Sequence, residues 1–274
     1  MNEKGRKKIL LSAGIIFVCL FCLAPFFWMF IISINERPDF LLQDGMSLTI
    51  GNFVEVIGIG NLHFLDYLKN SFVVASVTAI SSAFIAALAA YAVSRISFPG
   101  RIILIISVLA LSMFPQICLV GYLFKLMSGL GLINSYSALI LPYISWSLPL
   151  ALWLQTSYFS QIPTELDKAA QIDGANRLQT LLRVVLPIAV PGFLSTVMLL
   201  FMFSFNEFLF ALMLTTNYTA RTVPVGIAMF QGLHGELPWG YIMAASVISC
   251  IPVILIALAF QRRIIQGLTR GAIR

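Results

Sequence analysis

Six stretches of this chain are long, apolar and almost free of charge, and that pattern limits its fold more than any other feature. A helix that crosses a hydrocarbon core of about 30 Å needs about 20 predominantly apolar residues. Ile9–Ile34, Asn70–Ser94 and Ile102–Phe124 carry no charged side chain. A fourth span fits inside the uncharged segment Leu126–Thr164, from about Ser135 to Phe159. Val184–Leu214 holds a single acid, Glu207, and Leu237–Gln261 holds no charge. Charged residues are 10% of the 274, whereas a soluble domain carries about 25%. Lipid must therefore cover much of the surface. The expectation is an all-α, polytopic membrane protein forming one transmembrane domain over residues 1–274. Its six transmembrane helices fall at about 9–34, 70–94, 102–124, 135–159, 184–214 and 237–261.

Six spans put both termini on one side, and the basic residues say which. The N-terminus, the second and fourth connections and the C-terminus together hold thirteen Lys and Arg, and the other side holds four: Arg37, Lys69, Lys125 and Arg221. Basic residues collect on the cytoplasmic face, so both termini are expected there. The first run follows Lys4, Arg6, Lys7 and Lys8 as a signal peptide's would, but its 26 residues exceed a cleavable apolar core and no small-x-small site ends it. An uncleaved first span is expected. The net charge of +6 is spread over the ends of spans, which fits membrane topology and not a nucleic-acid patch.

The residue inventory argues against several function classes. Cys19, Cys22, Cys118 and Cys250 lie in apolar runs, where a thiol packs as a small hydrophobe. His63 and His234 sit in polar connections, so no Cys/His metal site is expected. An intramembrane enzyme would need a nucleophile–base pair or metal ligands within the spans. An ion-coupled secondary transporter would be expected to show more spans or repeats and several intramembrane ionisable groups, and this chain has one acid and no evident repeat. The phosphate-binding pattern G-x-x-x-x-G-K-[ST] is absent.

The richest signal is the connection from Ser160 to Pro187. Thr164 with Asp167 three residues on reads as an N-cap pattern. Glu165 and Asp167 put negative charge in the first turn, where the helix dipole favours it. Gly174 supplies the stop. Between them lies a helix of about eight residues, about 12 Å long, with Leu166, Ala169 and Ala170 on one face. Ala175, Leu178, Leu181, Leu182 and Val185 then recur at helical spacing opposite Asn176, Arg177, Gln179 and Arg183. A short, rigid, small-faced helix followed by a glycine turn can seat in a cleft on a cytoplasmic partner and transmit a push. The plainer reading is an amphipathic connector resting on the membrane surface.

Ala169, Ala170, Asp173, Gly174, Ala175 and the Leu186-Pro187 pair resemble the E-A-A-x-x-x-G loop of permeases of binding-protein-dependent ABC importers. Lys168 stands where that family usually has Glu, with Glu165 and Asp167 within a turn of it. The likeness extends to Phe98-Pro99-Gly100, Phe205-Asn206-Glu207-Phe208 and the terminal Gly267-Leu268-Thr269-x-Gly271-Ala272. These details resemble the carbohydrate branch, and within it the smaller permease of maltose- and trehalose-type systems. The resemblance implies a non-catalytic permease in a bacterial or archaeal cytoplasmic membrane that translocates a sugar, a di- or oligosaccharide. It implies a second homologous permease, two ATPase subunits that bind the ATP and Mg, an extracytoplasmic sugar-binding protein and membrane lipid as partners. It implies no cofactor on this chain and no nucleic acid. Glu165, Lys168, Ala169, Ala170, Asp173, Gly174 and Ala175 would couple it to the ATPase. An amino-acid, metal-ion or other small-solute permease of the same superfamily is the nearest alternative, and an ion-coupled transporter a more distant one.

Within the spans, Glu207 should face the bundle interior or a water-filled cavity, because a charge at mid-bilayer costs at least about 2.5 kcal/mol. With Asn206 it can serve as a sugar contact, a gate or a packing pair. Tyr143, Trp146 and Trp153 share the fourth span with Pro142 and Pro149, either as a sugar platform or as an interfacial belt. Ser81, Ser82, Ala83, Ala86, Ala87, Ala89 and Ala90 on the second span form a small-residue packing surface suited to a partner permease. The connection Thr215–Glu236, with Thr222-Val-Pro-Val-Gly226 inside it, is either a plain loop or, by the resemblance, a contact with the binding protein.

Overall fold

The apolar runs fold as helix, four of them unbroken and two in pieces, because lipid offers the backbone no alternative hydrogen-bond partner. The computed structural model describes residues 3–36, 47–58, 62–230 and 237–272, with side chains left aside at 3–6, 8, 9 and 262–272. The sequence-level expectations at Arg37 and His234 lie outside the described residues. Helices follow in the order α1 (Glu3–Ser33), α2 (Gly51–Gly58), α3 (Phe64–Arg95), α4 (Arg101–Ser112), α5 (Gln116–Gly129), α6 (Tyr136–Phe159), α7 (Glu165–Ile172) and α8 (Arg177–Thr180). A π-helical turn, Leu181–Val185, joins α8 to α9 (Leu186–Phe205), and α10 (Leu209–Leu214), α11 (Val223–Ala228) and α12 (Trp239–Ala272) complete the chain. The fold is all-α. Among the described residues the strand-type pairing is a single isolated bridge, Asn35 with Leu48.

Among the described residues, five helices are long and apolar enough to cross a membrane, or six if the bent pair α4–α5 is one span. That bend is the main departure from the expected 102–124 helix: the axes turn by 87°. The cause is Pro115, which takes φ −64° and ψ 125° ahead of α5. A proline pushes the residue before it out of the helical region, so α4 ends at Ser112. The fifth run differs as well. The apolar continuity from Val184 to Leu214 hides a break at Asn206–Phe208 between α9 and α10.

The chain divides into two compact units. One holds residues 1–64 and 227–251. In it the Asn52 amide donates to the carbonyls of Ser33 and Asn35, both at 2.9 Å, which ties α2 to the end of α1. Most of the apolar length of α1 is exposed.

The other unit holds residues 65–226 and 252–274. Its core runs as three clusters. One gathers Val120, Leu139, Tyr143, Phe210 and Leu214. Another gathers Ala75, Ala79, Ala83, Leu200 and Phe201. The third gathers Ala87, Ala90, Tyr91, Phe159, Leu181 and Val185. Much of the small-residue face of α3 packs within the chain: Ser82, Ala83, Ala86, Ala87 and Ala90 are buried, while Ser81 is half-buried and Ala89 exposed. Small side chains permit close helix approach where lipid removes any hydrophobic gain. The Ser82 and Ser147 hydroxyls meet at 2.8 Å, and the Gln155 amide donates to the Ala83 carbonyl at 2.7 Å. Both bonds cross from α3 to α6.

Beyond the fifth run, residues 215–226 fold back onto the start of α3 and are not a plain loop. Asn70 donates to the Tyr218 and Arg221 carbonyls at 2.9 Å, and the Val223 N–H donates to the Ser71 hydroxyl at 2.7 Å. Gly226 is required by close approach, since a Cβ there would stand 2.1 Å from the Tyr67 ring.

Candidate functional site

Helix α7 begins and ends as its residue pattern predicts, with one difference. Thr164 adopts helical angles (φ −70°, ψ −16°), so its side chain makes no capping bond. The extended backbone that aims an N-cap hydroxyl at the helix is missing there. The C-terminal end matches the glycine expectation. Gly174 sits at φ +85°, its N–H donates to the Gln171 carbonyl at 3.1 Å, and the Ala175 N–H reaches back to the Ala170 carbonyl at 2.9 Å. This is the paired closure that favours glycine at the left-handed position.

The faces of α7 differ from the expected ones. Asp167 and Ala170 turn inward and are buried, while Leu166 and Ala169 turn out with Glu165, Lys168, Ile172 and Asp173. Ala175 is half-buried and Gly174 exposed. A carboxylate is inside because Arg95, in the last turn of α3, meets it: Nε to Oδ2 is 3.3 Å, with both side chains under a tenth exposed. The outward face of α7 pairs with no residue of the chain among the described contacts, and Ile172 is 86% exposed.

The segment after Gly174 also shifts phase. Leu181 and Val185 are buried, whereas Leu178 and Leu182 point outward. The π turn at Leu181–Val185 carries one extra residue per turn, so the 3.6-residue stripe slips. Asn176 starts α8 with a reciprocal cap: its side chain accepts from the Gln179 N–H and Gln179 accepts from the Asn176 N–H, each at 2.9 Å.

In the spans, Glu207 is buried at the break between α9 and α10. Its carboxylate accepts from the Tyr143 hydroxyl at 2.5 Å and from the N–H groups of Phe210 and Ala211 at 2.8 and 3.1 Å. The two N–H groups belong to the first turn of α10, so the acid caps that helix and ties it to α6. Asn206 is brought beside it in sequence but points away: it is exposed and donates to the Met202 carbonyl at 2.7 Å. Trp146 packs edge-on to Phe210, 6.1 Å between centroids. It also lines a recess of about 380 Å³ with Leu111, Ser112, Phe114, Ser145 and Pro149 at the α4–α5 bend. Trp153 is 52% exposed.

Residues 82–270 match the family described as the binding-protein-dependent transport system inner membrane component. The chain belongs to this family. It is 54% identical over 277 residues to the trehalose/maltose transport system permease protein MalG of Thermococcus litoralis, covering 100% of this chain and 99% of the relative. It is 39% identical over 259 residues to the trehalose transport system permease protein SugB of Mycobacterium tuberculosis, covering 93% of each. A chain of a bacterial ABC transporter involved in the import of the acidic polysaccharide alginate superposes with TM-score 0.75 at 20% identity, covering 96% of this chain and 98% of that one. That likeness is one of fold.

Within an inner membrane component of this family, the position usually held by Glu is Lys168, and it faces outward. The acid that α7 keeps on its inner side is the neighbouring Asp167. Sequence reading missed two features of the site. The Asn176-x-x-Gln179 cap has a legible signature. The Arg95–Asp167 pair has none, because it joins residues 72 positions apart.

Proposed function

We propose that this chain is one of two homologous membrane-spanning permease subunits of an importer for a di- or oligosaccharide, driven by two separate ATPase subunits. The observation that carries the reading is α7. It is a short helix closed by a left-handed Gly174 and anchored inward through Asp167, and its outward face is exposed among the described residues. Glu165, Lys168, Ala169, Asp173 and Gly174 lie on or beside that face, with Ala170 and Ala175 seating the helix. They form the surface that docks in the ATPase. The sugar class is supported by the trehalose and maltose relatives.

Both termini and α7 lie on the cytoplasmic side of a bacterial or archaeal inner membrane, as the distribution of Lys and Arg favours. ATP and Mg²⁺ bind the ATPases. Their closure moves α7, and the two permeases exchange an inward-facing for an outward-facing state. A sugar-binding protein delivers the ligand, which shifts that equilibrium only insofar as it prefers one state. Asn206, exposed, and Trp146, half-buried in a recess, are the side chains offered to the translocation path, and Glu207 with Tyr143 ties the break in the fifth span to α6.

The test is purification of the tagged chain in mild detergent with identification of its companions. An ATPase and a second permease of this family are the expected companions. A chain that purifies as a homo-oligomer with no ATPase, and that gains no ATP hydrolysis when ATPases from the same cell are added, would contradict the proposal.

A further inference from the structure

The Arg95 guanidinium does two things at one place. Nε faces the Asp167 carboxylate at 3.3 Å, and Nη2 donates to the Ile162 carbonyl at 2.8 Å. Asp167 lies in the first turn of α7 and Ile162 in the turn that leads into it, so one side chain from the end of α3 holds both the start of the docking helix and its approach. Tyr91, one turn earlier on α3, lies near the same carboxylate.

Both side chains of the pair are under a tenth exposed, and Tyr91 and Ile162 belong to the buried cluster that includes Phe159, Leu181 and Val185. A buried ion pair of this kind adds little net stability, because desolvation offsets attraction. What it supplies is direction. A guanidinium that is hydrogen-bonded to one carbonyl and ion-paired with one carboxylate restricts the relative placement of α3 and α7 more than an apolar contact does. The rest of α7 has few other anchors: Ala170 is its other buried side chain.

We infer that Arg95 and Asp167 are positioning residues that lock the docking helix to the end of the second span, so that movement of α7 becomes movement of α3 and not rotation of a loose loop. This rests on the reading of α7 as the ATPase contact. Both side chains are under a tenth exposed, so they act through α7.

The experiment uses the reconstituted assembly of both permeases, ATPases and binding protein, and reads sugar transported per ATP hydrolysed. In Arg95→Met with Asp167→Leu, apolar side chains of similar bulk replace the pair, a change a fold tolerates well. The assembly is expected to form and to hydrolyse ATP, with sugar moved per ATP reduced about tenfold. Arg95→Lys keeps the charge but cannot fork to both acceptors, and is expected to lose part of the ratio with normal assembly. An unchanged ratio in Arg95→Lys, and in the double variant where it assembles, would overturn the inference while leaving the importer reading intact. Uptake by the unaltered assembly that ignores ATP would overturn both.

Discussion

Gly174→Val is expected to abolish transport while the chain remains in the membrane at near-normal level. Gly174 stands at φ +85° between α7 and α8, and a Cβ there would meet nothing within 4 Å. The obstacle is therefore the backbone. A β-branched residue held in the left-handed region is strained by about 1–3 kcal/mol. Relief comes from unwinding the last turn of α7, where the Ala170 and Gln171 carbonyls receive their closing bonds. That turn carries the exposed Ile172 and Asp173 of the docking face, while the spans that hold the fold are packed elsewhere. Asparagine tolerates left-handed angles better than alanine or valine. Uptake at matched protein level should therefore fall in the order Asn, Ala, Val. Normal uptake by the valine variant would return the connection to a surface-resting amphipathic segment.

Glu207→Ala should act in the opposite way, on the fold first. The substitution leaves the Tyr143 hydroxyl and the Phe210 and Ala211 N–H groups without their acceptor. Each buried donor stranded in this way costs about 1–3 kcal/mol, and lipid offers no substitute. A drop of about 5 °C or more in unfolding midpoint in detergent is expected, with a severalfold loss of folded chain in the membrane. Glu207→Gln keeps one acceptor oxygen and should lose less. Asn206→Ala, at an exposed side chain bonded locally, should leave the midpoint near that of the unaltered chain. If Glu207→Ala melts with the unaltered chain and fails only in uptake, the acid serves the ligand and not the break in the span.

The two positions show where sequence reading succeeds and where it stops. Span placement was legible because it depends on one additive quantity, the length of uncharged apolar chain. Gly174 was legible because a helix stop is local chemistry. The 87° bend at Pro115 was weaker but readable, as a proline marks the residue before it. The π turn at Leu181–Val185 left no mark, since a 3.6-residue stripe drawn through it looks regular while Leu178 and Leu182 actually face outward. Glu207 could be assigned to the interior from its cost in lipid, but not its partner Tyr143, 64 residues away. The inward turn of Asp167 depended on Arg95 in the same manner. Long-range pairing is set by helix packing, which no local pattern encodes.

The central claim, ATP-driven import of a sugar, is tested most directly in proteoliposomes holding this chain, its partner permease and both ATPases, with binding protein outside and ATP inside. Uptake of a labelled di- or oligosaccharide, with trehalose and maltose as the probes, is expected, dependent on ATP and abolished when ATP is replaced by a non-hydrolysable analogue. Uptake driven by an ion gradient without ATP, or ATP-driven uptake of an amino acid with none of either sugar, would contradict the account.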